Sequence, residues 1–317
     1  MSRNALFAAA LGLSTALASG SALASDPQAC QTVRFSDVGW TDITATTATA
    51  SVVLQALGYQ PQTQVLSVPV TYTSLASGDI DVFLGNWMPT MEADIAPYRE
   101  DGSVETVTTN LTGAKYTLAV PAYTYEAGLQ SFEDIAEFRD QLNGQIYGIE
   151  PGNDGNRLIL DMIEADQFGL DGFELVESSE AGMLSAVMRA ARQEQHIVFL
   201  GWAPHPMNAN VDMEYLSGGD DVFGPDYGGA TVHTNVRAGY TEECPNVGRF
   251  LENLVFSLEM ENEIMGAILD DGQDPEAAAT EWLRQNPGEL DEWLADVTTF
   301  EGAAESVEVV RSALGIN

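Results

Sequence analysis

The chain has 317 residues, 45% of them hydrophobic, and sets 48 acidic side chains against 12 basic ones, a formal net charge of -36. A surface this negative repels nucleic acid and anionic membranes, which excludes both as partners. The apolar content is enough for substantial cores, arranged most simply in two lobes. Only one lysine, Lys115, is present. The acidity is read as a solvated coat whose self-repulsion salt screens, as a saline habitat would require.

Residues 1–24 have the form of a secretory signal peptide: Arg3 in a short basic region, the apolar run "LFAAALGLSTALASG", then Ala22 and Ala24 at the small-residue positions of a cleavage site. No later stretch reaches the roughly twenty apolar residues of a membrane span. The mature protein is therefore expected outside the cytoplasm, without membrane insertion. Cys30 and Cys244 are the two cysteines, and in an exported chain such a pair predicts one disulfide. It would tie the start of the mature chain to a late segment and place both in the same lobe.

From residue 32 the order is strand, helix, strand, helix, strand. "TVRF" opens a strand, and Thr41 or Asp42 is placed to cap the helix "ITATTATASVVLQALGY", which ends at Gly58. A second strand is predicted over 63–70, "TQVLSVPV", a short helix over 71–79, and a third strand over 80–87, "IDVFLGNW". This alternation predicts a parallel sheet covered by helices. A similar unit begins after Gly113 with "AKYTLAVPAY". It continues through a helix over 131–142 capped by Ser131, strands at "QIYGIEP", "FELVESS" and "HIVFLGW", and helices between them. Residues 218–231 have loop composition, 232–240 form a further strand, and the pattern from Pro245 onward is helical.

The predicted fold is α/β with two lobes, a sheet in each, and helices on their faces. If Cys244 returns to the lobe of Cys30, the chain crosses between lobes twice, and two crossings make a hinge. The expected limits are 25–113 plus 233–317 for the first lobe and 114–232 for the second.

Ligands in open parallel sheets bind outside the carboxyl ends of the strands. Trp40, Trp87 and Trp202, three of the five tryptophans, fall at such ends, each one or two positions after a glycine expected to turn the chain. Tyr116 lies at the first crossing, and Asn153 and Asp154 follow the strand "QIYGIEP". Trp282 and Trp293 sit at helical spacing among leucines and are assigned to packing. Three or four aromatic faces on one cleft make a box suited to a quaternary ammonium group, which has no N–H to donate. Each desolvated ring contributes about 2 kcal/mol. Together they supply most of the roughly 8 kcal/mol of a micromolar complex. Asp42 is placed either to cap its helix or to accept a hydrogen bond from a ligand hydroxyl. Asn153 is either a turn residue or a polar contact at the same end. No Arg is near these ends except Arg157, which argues against an anionic headgroup.

A secreted glycoside hydrolase or sugar binder would need two carboxyls facing across one bond, and a chain this acidic does not single out a pair. His196, His205 and His233 lie in no metal-ligand motif and are read as structural. Asn110-Leu111-Thr112 is a chance match to a glycosylation sequon. No cofactor or metal is expected.

The motifs "DVGWTD", "VFLGNWMP", "GAKYTLAVP", "GIEPGNDGN" and "VFLGWAPHPMN" run from residue 37 to residue 208. With them the whole mature chain resembles the periplasmic substrate-binding proteins of the glycine betaine/choline ABC-importer family, its choline-binding members above all. The resemblance implies a monomeric, non-catalytic receptor that captures choline and delivers it to a membrane permease. It also implies a cage of Trp40, Trp87, Trp202 and Tyr116, with Asp42 and Asn153 at the hydroxyl end. Glycine betaine, proline betaine, acetylcholine and carnitine are the alternative ligands. The chain lacks a phosphate-binding G-x-x-x-x-G-K-[ST] loop, so the ATPase would be a separate subunit.

Overall fold

The structure, a computed structural model, describes residues 26–316; the expected signal peptide lies outside them. Nine strands form one hydrogen-bonded sheet: β1 (Thr32–Asp37), β2 (Gln60–Val65), β3 (Val82–Met88), β4 (Val104–Pro121), β5 (Gln145–Tyr147), β6 (Glu174–Val176), β7 (Phe199–Ala203), β8 (Met213–Tyr215) and β9 (Gly229–Arg237). Their order is β2-β1-β3-β9-β4-β7-β5-β6, with β8 on β4. β1 is parallel to β2 and β3, and β5 is parallel to β6 and β7. Between these two parallel groups stand β4 and β9, antiparallel to each other and to their outer neighbours.

β4 and β9 are the strands that join these two groups. β4 pairs with β9 from Val104 to Lys115 and with β7 from Lys115 to Ala119, so a single strand belongs to both halves. The hydrogen-bonded ladder is therefore continuous where two separate sheets were expected. β4 also begins well before Gly113. It passes through that residue, whose φ is 77°, with a register shift between Leu111 and Ala114 that absorbs the irregularity.

The helix after β1, α1 (Thr41–Ala56), stops before Gly58, which takes a φ of 97°. The strand expected over 63–70 ends at Val65, because Pro69 falls in the first turn of α2 (Val68–Ser77), where a missing N–H costs nothing. Phe132–Phe138 is a 3-10 helix instead of an α-helix, although Ser131 and Asp134 do cap it reciprocally.

The late helices return to the half that holds β1. Pro245–Asn253, Leu258–Leu269, Pro275–Gln285, Glu289–Trp293 and Ser306–Leu314 follow one another, and those at 258–269 and 275–285 pack on α1. Trp293 is in the core, and Trp282 is half-buried with its indole N–H on Glu263. Cys30 and Cys244 form the disulfide, with Cα atoms 5.7 Å apart. Beside it Asp26 accepts the N–H groups of Asn246 and Val247, at 2.7 and 3.0 Å, capping the helix that begins at Pro245. Asn110 is buried, its amide donating to Leu84 O and Thr234 Oγ1, which leaves its sequon inaccessible. Among the described residues no helix is long and apolar enough to cross a membrane.

The bridge closes a span of 214 positions, so its removal releases a large loop in the unfolded chain. Replacing both cysteines by serine is expected to cost about 2–5 kcal/mol in urea unfolding. An unchanged midpoint would show that the Asp26 cap alone holds this junction.

Candidate functional site

Trp40, Asp42, Trp87, Tyr116, Asn153 and Trp202 line one pocket of about 270 Å³, together with Ile149 and Asp154. The residues arrive from both halves. Trp40 and Asp42 stand at the start of α1, after β1. Trp87 lies in β3, Tyr116 in β4 and Trp202 in β7, while Ile149, Asn153 and Asp154 follow β5. Trp87 is 3% exposed, Trp202 4% and Tyr116 5%. The Tyr116 ring centroid is 6.0 Å from that of Trp87 and 6.3 Å from that of Trp202, so it links the walls.

Glycine positions the rings, but not in the way expected for all three. Gly39, with a φ of 83°, does turn the chain ahead of Trp40. Gly85 and Gly201 lie inside strands, and neither has positive φ. They are needed for close packing: a Cβ on Gly85 would stand 2.6 Å from the Ile43 side chain, and one on Gly201 would stand 2.8 Å from Ala119 Cβ. Each of these two tryptophans is followed two positions later by a cis proline, Pro89 and Pro204. Gly155 serves the cage directly, since a Cβ there would fall 2.1 Å from the Tyr116 hydroxyl.

Every polar atom of the wall has an assigned partner except a few. Trp40 donates its indole N–H to Glu150 Oε1 at 2.6 Å, and Trp87 donates to Asp42 Oδ2 at 3.0 Å. The Tyr116 hydroxyl donates to Asn153 Oδ1 at 2.9 Å, and the Asn156 N–H donates to the same oxygen at 3.0 Å. Asn153 is thus the N-cap of the helix Asp154–Glu164 and a wall residue at once. Its Nδ2 donates to Asp154 Oδ1 at 3.1 Å. Asp42 Oδ1 and Asp154 Oδ2 are buried without a hydrogen bond. Trp40, not Thr41 or Asp42, occupies the cap position of α1, so the Asp42 carboxylate is not spent on capping.

Burial, and then the nearby Glu180 carboxylate, push Asp42 up to about 8. Burial also pushes Asp154 up to about 7. No Lys or Arg lines the pocket. Arg157 reaches instead to Asp94 Oδ2 at 2.8 Å and Thr90 O at 3.1 Å. Lys115 turns away, with its ammonium over the rings of Tyr215 and Tyr227. His196 and His233 bond to threonine hydroxyls away from the pocket, whereas His205 lies directly behind Trp202, 4.9 Å between ring centroids.

Sequence reasoning placed Asp154 in the right turn without assigning it to the site, and it missed Ile149, Glu150 and Glu180. Abundant acids hide their own signal. Glu150 stands in the motif "GIEPGNDGN", but its partner Trp40 is 110 positions away.

Comparison with known proteins follows from this geometry. Residues 31–285 match the family described as the substrate binding domain of ABC-type glycine betaine transport systems. The chain belongs to this family. A solved ABC-transporter choline binding protein in complex with choline is 68% identical, with a TM-score of 0.90 over 92% of this chain and 100% of that one. Lactococcal OpuAC, in a closed form with glycine betaine, is 27% identical, with a TM-score of 0.76 over 83% of this chain and 99% of that one. The glycine betaine/carnitine transport binding protein GbuC of Listeria monocytogenes is 30% identical over 187 residues, 59% of this chain and 60% of that protein. The fold is accordingly the two-lobed one of periplasmic binding proteins, and the family is one of transport proteins rather than enzymes.

The raised pKa of Asp42 comes from its burial between the two halves; in a form whose halves part and admit water, the group is expected to return to the ordinary carboxylate range. Closing without a counter-charge therefore takes up a proton. The closed form gains from this below the ordinary carboxylate range and loses the gain as pH rises through about 8. Small-angle scattering of the ligand-free protein is expected to give a smaller radius of gyration near about pH 5 than near about pH 9, and Asp42→Asn should flatten the difference. A radius independent of pH would contradict this linkage.

Proposed function

We propose that the protein is a periplasmic receptor that captures choline between its two lobes and presents it to the permease of an ABC importer. The observation that carries this is the unpartnered Oδ1 of Asp42, buried at the wall of an aromatic pocket that no cationic side chain lines. A trimethylammonium group meets the faces of Trp40, Trp87, Trp202 and Tyr116, which attract it through dispersion and ring quadrupoles. Its charge offsets the buried carboxyls of Asp42 and Asp154.

The hydroxyl end has one consistent arrangement. Asn153 Oδ1 already accepts two hydrogen bonds, so Asn153 can turn only its free Nδ2 hydrogen to the ligand. The choline oxygen accepts from that N–H and donates its proton to Asp42 Oδ1. A charge-assisted bond of this kind contributes about 1.5–3 kcal/mol. The lobes proposed are 25–113 plus 233–317 and 114–232, with the hinge in β4 and β9. The receptor acts as a monomer, without cofactor or catalysis.

Glycine betaine is the second reading, and the high pKa of Asp42 favours it. A protonated Asp42 can donate to a carboxylate, whereas an ionised one repels it. The family match and GbuC point the same way. Calorimetry separates the two: choline is expected to bind the native protein more tightly than glycine betaine. Asp42→Asn should weaken choline by about tenfold or more while betaine changes less. Tighter native binding of betaine would reverse the ligand order.

The cage has its own test. Trp87→Ala removes a wall and should lower choline affinity by about thirtyfold, the equivalent of about 2 kcal/mol, measured by calorimetry at a temperature where the variant is fully folded. Affinity that survives this substitution would exclude the aromatic cage.

A further inference from the structure

The first N–H groups of an α-helix have no partner within it. At α1 the cap residue Trp40 supplies none. The acceptor comes from 139 positions along the chain: Glu180 Oε2 accepts the Thr41 N–H at 2.9 Å, and Oε1 accepts the Thr41 hydroxyl at 2.5 Å. Glu180 opens the helix Glu180–Gln193, after β6, while α1 follows β1. These two strands lie on opposite sides of the central β4–β9 pair. One buried carboxylate therefore spans the two halves.

A third bond ties Glu180 to the cage. His205 Nδ1 accepts the Met207 N–H at 2.9 Å, so the ring proton sits on Nε2, which donates to Glu180 Oε1 at 3.2 Å. The same imidazole packs against Trp202, at 66° between ring planes. Glu180 is 5% exposed and His205 2%, so these bonds are shielded from water. Those to Thr41 exist only while the halves are together.

We propose that Glu180 is a positioning residue for ligand retention. By capping α1 across the cleft and holding His205 against Trp202, it locks the cage wall of one half to the helix that carries Asp42 in the other. This role rests on the choline site proposed above, but it makes a separate claim, about the rate of release. Ligand enters the open form, in which the Glu180–Thr41 bonds are absent, so association does not depend on them and dissociation does.

Stopped-flow tryptophan fluorescence of the whole protein with choline tests this. Glu180→Ala is expected to speed dissociation by about tenfold or more and to leave association within about twofold of native. Thr41→Val, which removes one of the two Thr41 bonds, should have a smaller effect. The double variant should add little to Glu180→Ala alone, as for a coupled pair. The ligand-free melting temperatures should stay close to native. Dissociation within about twofold of native for Glu180→Ala, full additivity in the double variant, or faster release that merely follows a lower melting temperature would each overturn the proposal. A native protein that gives no choline signal but responds to glycine betaine defeats the ligand assignment alone. The same series with betaine then decides on Glu180 by the same outcomes.

Discussion

A carboxylate removed from water must find a counter-charge or keep its proton. Asp42 is 1% exposed, and the indole N–H of Trp87 does not offset its burial. Further carboxyls stand nearby. Glu180 raises the pKa of Asp42, and Glu261, buried in the helix behind α1, is itself raised by burial and then by Asp42. The pocket thus gathers carboxyl groups in a place from which water is shut out. In the function proposed above, a small organic cation relieves that cost as the two halves close, and the aromatic walls hold it without needing a donor. Specificity and closure share this one electrostatic requirement.

The topology makes such a place available. Two parallel strand groups deliver side chains from their carboxyl ends, and the antiparallel β4 and β9 pass between the groups. Because β4 pairs with strands of both halves, Tyr116 sits at the junction and touches rings from each side. Rigid strands carry Trp87 and Trp202, and the packing of Gly85 and Gly201 against Ile43 and Ala119 fixes how closely those strands lie to their neighbours. Trp40 enters from a true turn and is oriented by Glu150 of the other half. The walls are therefore partly held by contacts that bridge the cleft, and Glu180 and Arg157 add to that set.

The surface charge and the site charge are different matters. Most of the 48 acidic residues face solvent, where each is hydrated and screened by salt. The few that are buried define the chemistry. Composition reports the first kind and says nothing of the second. For this reason acidity argued against nucleic acid but pointed to none of Asp154, Glu150 or Glu180.

Much of the site was legible in the amino-acid order because local motifs carry it. "DVGWTD", "VFLGNWMP" and "VFLGWAPHPMN" each join a strand to an aromatic residue, and strand ends in α/β folds face a crevice. The alternation of strands and helices, the helical last third and the Cys30–Cys244 pair were likewise local or countable features. The tertiary structure alone decided the rest. It made the sheet continuous through β4, moved the end of β2 because Pro69 suits a helix start, and gave Gly85 and Gly201 a packing role in place of a turning one. It also paired Trp40 with Glu150 and Thr41 with Glu180. These outcomes depend on which atoms meet across more than a hundred positions of chain, and no local pattern encodes that. The sequence by itself determined what each strand end would offer; only the folded chain decided which carboxylate would stand behind it.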